Sequence, residues 1–82
     1  MYLVDTRGEA MEQIEALPAK ALVPLAEALV VLRIIPWNGD SINESNPEAP
    51  VRTLPFGGLG LITYLVVEAE RQVDVLRVQW LG

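Results

Sequence analysis

Hydrophobic residues change their period once along this chain, and the change divides it into two parts. Between Met11 and residue 36 they recur at helical spacing. After residue 50 they alternate or run together, as they do in strands. Tyr2-Leu3-Val4, cut off by Asp5, predicts a short first strand. Thr6-Arg7-Gly8-Glu9 has the form of a capping box, with Thr6 as N-cap and Glu9 reaching back to its amide. Met11, Ile14 and Leu17 then recur on one side while Glu9, Glu12, Gln13 and Glu15 fall elsewhere, which predicts an amphipathic helix over residues 7–16. Its acidic first turn suits the positive end of the helix dipole.

Pro18 opens a second predicted helix, because proline fits the first helical position, and Pro36 closes it after Ile35. Pro24 is the awkward residue within it. It removes a hydrogen bond to residue 20 and is expected to kink the helix, or to mark a regular part that starts near Val23. From Ala21 to Ile35 only Glu27 and Arg33 are charged. A bilayer span needs about 20 apolar residues, and this run is shorter, charged in its middle and interrupted by proline, so no membrane insertion is expected. A helix apolar nearly all round calls for cover nearly all round, and a chain this short is expected to find part of it on a partner.

Trp37 to Pro50 reads as a polar connection with turn signals at Asn38-Gly39 and Asn46-Pro47. Asp40, Asn43, Glu44 and Glu48 do not follow the spacing of a calcium-binding loop. Asn43-Glu44-Ser45 is formally a glycosylation sequon, which has no meaning without export. Three strands follow: Val51 to Leu54, Leu61 to Glu68 and Val73 to Trp80. A glycine-rich turn separates the first two, and Ala69-Glu70-Arg71 makes a hairpin connection between the last two. The final strand has apolar residues on both faces, as in a central strand or one bulged near Val75-Leu76. The order β-α-α-β-β-β predicts an α+β fold over residues 1–82, a single domain with a helical hairpin packed on one face of a mainly antiparallel sheet.

Composition narrows the chemistry. The chain has 82 residues, no cysteine and no histidine. That removes disulfides, thiolate nucleophiles, cysteine zinc sites and the side chain that ordinarily titrates near neutrality. No metal or cofactor is expected. Six Lys plus Arg against eleven Asp plus Glu give −5, which argues against non-specific nucleic-acid binding. Met1-Tyr2-Leu3-Val4-Asp5 has no basic region ahead of an apolar run, so a cytoplasmic protein is expected. Gly57-Gly58-Leu59-Gly60 joins strand to strand and lacks the pattern of a phosphate-binding loop. Glu68 and Glu70, at a turn, read as solvated. Arg52 and Arg77, on the first and last meander strands, leave two readings open: a bidentate phosphate clamp, or ordinary ion-paired arginines, Arg77 with Asp74 for instance. Lys20 and Arg33 read as solvated helix residues and Arg71 as a turn residue. Tyr64 and Trp80 read as core, and Trp37 as a plug at the end of the second helix.

Ala16-Leu17-Pro18, the alanine- and leucine-rich helix and Pro36-Trp37 resemble the helical hairpin of the RelE/ParE toxin superfamily. Arg52-Thr53-Leu54-Pro55-Phe56-Gly57, Gly60 to Val66 and Val73 to Val78 are similar to the family's three-strand meander. The resemblance implies a toxin of a type II toxin–antitoxin pair, with a cognate antitoxin protein as partner. Its RelE-like branch cuts messenger RNA on the ribosome, and its ParE-like branch blocks DNA gyrase. In ribosome-dependent cleavage the 2′-hydroxyl attacks the adjacent phosphate, and basic side chains on the sheet stabilise the charge that develops. Arg52 matches a basic position on the first meander strand, and Arg77 lies near another, so these two are the catalytic candidates. The chain departs from the pattern at Leu61, where relatives carry arginine, and at Trp80-Leu81-Gly82, where a basic pair and a tyrosine-bearing tail would follow. The alternative is a non-catalytic interaction module on the same fold, either a homodimer or a binder of another protein.

Overall fold

A computed structural model covers Met1–Gly82 and contains five strands and two helices. Strand β1 is Leu3–Asp5, α1 is Glu9–Glu15 and α2 is Ala19–Ile34. Strand β2 is Asp40–Ser41, β3 is Val51–Phe56, β4 is Gly60–Val67 and β5 is Gln72–Trp80. The strands form one sheet in the order β1-β5-β4-β3-β2. Only the β1–β5 pair is parallel, and every other pair is antiparallel. This is the expected α+β arrangement with one addition. Asp40–Ser41, within the segment predicted as a loop, pairs with Arg52 and Thr53 as a two-residue edge strand. Two polar residues carry no periodicity, so the pairing partner makes this strand.

Strand β4 sits in the middle, and its alternation sorts the sheet into two faces. Ile62, Tyr64 and Val66 point to the helices and are buried. They form one core with Val73, Val75 and Val78 of β5, Ala21, Leu25, Ala28 and Leu32 of α2, and Ala10 of α1. Leu32 is fully buried, which contributes roughly 1.5–3 kcal/mol by the usual transfer scale. Leu61, Thr63, Leu65 and Val67 point to the open face. Strand β5 is both interior to the sheet and bulged, the two alternatives its sequence offers: Tyr64 pairs with Val75 and Thr63 with Arg77, so Leu76 is the extra residue. The bulge turns both Val75 and Val78 inward and leaves Leu76 exposed between them.

Two expectations about helix starts need correction. Thr6 does not cap α1. The Asp5 carboxylate accepts from the Arg7 amide at 3.1 Å and from the Arg7 guanidinium at 2.8 Å, forming a tight turn that takes up Thr6. The helix begins at Glu9, behind Gly8 with φ 68° and no side-chain cap. Pro18 is the N-cap of α2, not its first helical residue. Helix α2 runs without a break through Pro24. No helix is long and apolar enough to cross a membrane.

Pro24 fits closely against the turn between β3 and β4. A Cβ at Gly57 would lie 3.1 Å from both Pro24 Cβ and Trp80 Cζ3, and Gly57 has φ 62°. Gly58, with φ 78°, faces open space. Gly57→Ala is therefore expected to cost more than Gly58→Ala, by about 1–3 kcal/mol of overpacking beyond the shared backbone strain. Urea denaturation midpoints of the two variants check this.

Candidate functional site

Strand β3 places Arg52 opposite Tyr64, so its side chain faces the helical layer. Arg52 is 8% exposed. Its Nε donates to the Gly39 carbonyl at 2.9 Å, and its Nη1 donates to the carbonyls of Pro47 at 2.9 Å and Ala49 at 3.1 Å. The polar connection between β2 and β3 thus wraps around the guanidinium and supplies its acceptors. The guanidinium carbon lies 5.3 Å from the centroid of the Trp37 ring, a cation–π arrangement. Trp37 thereby covers Arg52 and does not simply plug the end of α2.

The same Trp37 reaches a second group. Its Nε1 donates to Glu68 Oε1 at 2.8 Å, and the Tyr2 hydroxyl donates to that oxygen at 2.6 Å. Arg71 Nη1 donates to Glu68 Oε2 at 2.9 Å, and its guanidinium covers the Tyr2 ring at 4.2 Å. Glu68, expected to be merely solvated, therefore joins the start of β1, the end of α2 and the β4–β5 turn. Its partners lie 66 and 31 positions away, too far for any local motif to signal them. Arg71 is in the turn as expected, in the left-handed conformation at φ 51°.

Arg77 is elsewhere. Its register partner is Thr63, whose own partner on β3 is Thr53, and this row faces away from the helices. Arg77 is exposed and makes no ion pair, with Asp74 or any other residue. Asp74 instead accepts from Gln72 Nε2 at 2.6 Å. The sheet therefore separates Arg52 from Arg77, and the two do not form a shared phosphate clamp. Trp80 stacks on Phe56 at 5.7 Å in the core margin, and Tyr64 is fully buried, so both act as core residues.

Each shifted titration moves away from neutrality. Hydrogen bonds from Tyr2 and Trp37 hold the Glu68 carboxyl at about 2. The hydrogen bond to Glu68 raises the Tyr2 phenol, burial raises the Tyr64 phenol, and Asp5 raises the Arg7 guanidinium. A carboxylate at about 2 is a weak general base at neutral pH. The cluster suits binding and bracing better than proton transfer. Two openings flank it. A groove of about 490 Å³ runs between α2 and β3, with Glu27 and Asn38 among its walls. A cavity of about 390 Å³ is lined by Trp37, Pro47, Glu48 and Arg52.

The Glu68 shift has a consequence for stability. Because the folded state lowers this pKa, the stabilisation is fully present above the ordinary value of 4.5 and is lost as pH falls toward 2. Half the Glu68 side chain is exposed, so solvent screens the effect. Glu68→Gln is expected to lower the thermal midpoint at pH 7 and to flatten its dependence between pH 4.5 and 2. Thermal unfolding across that range measures both.

No protein-family profile and no curated protein matches the sequence. Among solved structures, a chain in the crystal structure of the intact E. coli RelBE toxin–antitoxin complex matches 100% of this chain over 99% of its own length. The TM-score is 0.76 and the sequence identity 19%. At that identity the likeness carries the fold. Two helices on one face of a mostly antiparallel five-strand sheet are common to both, and the chain has the RelE-type toxin fold that its element order and meander motifs anticipate.

Proposed function

We propose that this chain is the toxin-fold member of a type II toxin–antitoxin pair and that a cognate antitoxin protein binds it. The observation that carries this reading is the end-to-end likeness to a chain of a toxin–antitoxin complex. The surface is in keeping with it. Val23, Val30 and Ile34 on the outer side of α2 are 70%, 50% and 57% exposed, and Ala26 continues the same stripe. An apolar helix face of this kind suits a protein partner.

Ribosome-dependent cleavage of messenger RNA is the second reading, with Arg52 and Arg77 as its catalytic pair. The geometry favours the first. Arg52 faces the helices with three of its donors occupied, and Arg77 stands on the other side of the sheet. Leu61 also stands where the resemblance implies an arginine. A homodimer through α2 is a further form of the interaction-module reading, and light scattering on the purified chain distinguishes it.

Co-expression with the product of the adjacent reading frame tests the proposal. The expected result is a stoichiometric complex, with induction of the chain alone producing no codon-specific cuts in ribosome profiling. Failure to capture that product would overturn the antitoxin assignment. Codon-specific cuts that disappear in Arg77→Ala would establish the nuclease reading alongside it.

A further inference from the structure

We infer that the cavity beside Arg52 and Trp37 is a recognition pocket for a single carboxylate. Arg52 is 8% exposed, yet no Asp or Glu pairs with it. The ion pairs of the chain are Arg7–Asp5 and Arg71–Glu68. Its compensation comes from three backbone carbonyls and one indole face, all neutral groups. A buried cation with no carboxylate within ion-pair distance is an expensive arrangement, and a ligand that brings one negative charge into contact relieves it.

The donors define how that ligand enters. Nε and Nη1 are engaged by Gly39, Pro47 and Ala49, the Tyr64 phenol adjoins the guanidinium, and Nη2 has no acceptor at good hydrogen-bond geometry within the chain. Arg52 borders a cavity of about 390 Å³ whose other walls are Trp37, Pro47 and Glu48. One nitrogen with two hydrogens accommodates one or two oxygens of a single acidic group. Trp37 and Pro47 offer apolar sides to the carbon stem that bears it. The loop carbonyls hold the guanidinium in place, so little freedom is lost on binding.

Charge selects against a polyanion. Glu48 stands in the wall of the cavity, and the chain carries −5. Each negative charge beyond the one that meets Arg52 is opposed by both, which favours a lone carboxylate over a phosphodiester strand. An acidic side chain of a polypeptide and a small free acid share this chemistry. The inference stands on the surroundings of Arg52 and does not depend on the toxin–antitoxin reading.

The test is a titration of the full chain followed by the Arg52 Nε–H and Trp37 indole N–H resonances. Sodium acetate, N-acetylglutamate methylamide, inorganic phosphate and a short oligouridylate are added in turn at constant ionic strength. The expected result is a saturable shift of both resonances with the two carboxylates. Tighter binding of the blocked glutamate assigns the pocket to a polypeptide side chain, and equal or weaker binding assigns it to a small free acid. Glu48→Gln, an exposed loop change that leaves Arg52 and its anchors in place, is expected to tighten acetate binding roughly two- to fivefold. A shift that does not saturate, an unchanged affinity in Glu48→Gln, or tighter binding of phosphate or oligouridylate would overturn the inference.

Discussion

The buried hydrogen bond from the Tyr64 hydroxyl to the Pro36 carbonyl, at 2.5 Å, fixes where the helical layer hands the chain back to the sheet. Tyr64 is on the central strand and fully buried, and Pro36 opens the turn that follows α2. With these two joined, the next residues have little freedom. Gly39 must pass so close that any Cβ would overlap the Tyr64 hydroxyl and the Thr53 carbonyl oxygen. That approach brings the Gly39 carbonyl to Arg52 and lets Asp40 and Ser41 pair with β3. It also sets Trp37 over Arg52 and within reach of Glu68. One phenol thus organises the edge strand, the loop around the buried arginine and the polar cluster beside it.

This arrangement decides which side chains share a face. A two-arginine clamp needs both guanidinium groups on one accessible face, and alternation along β3, β4 and β5 puts them on opposite faces. What remains on the helical side is a guanidinium held by carbonyls, an indole and a carboxylate that stays ionised well into acid. These groups brace one another. Glu68 and Tyr64, whose titrations are shifted, both move away from neutrality. The chain thus combines an acidic composition and a RelE-type fold with an exposed apolar helix face.

The sequence made the layered architecture legible because each large element has its own period. Helical spacing from Ala21 to Leu32, alternation from Ile62 to Val66 and the break at Val75-Leu76 are local patterns, and the structure follows each of them. The capping box at Thr6 was equally local but lost to a competing one, the Asp5–Arg7 turn. Strand β2 and the Glu68 cluster had no local signal, since both exist only through residues distant in sequence. The same holds for the candidate site. Arginine at positions 52 and 77 could be read directly, but which face each occupies depends on register and on one bulge. An acidic turn residue reads as solvated because its tyrosine and tryptophan partners arrive from 66 and 31 positions away.

The central claim is that the sheet and its loops enclose Arg52 while Arg77 stands free. Phenylglyoxal modification of the native chain, followed site by site by mass spectrometry, measures this directly, because the reagent bridges the two terminal guanidinium nitrogens. The account predicts rapid modification of Arg77 and protection of Arg52 by at least about tenfold, lost on unfolding in denaturant, since both Nη1 bonds must break first. Equal rates for the two arginines in the folded protein would contradict it.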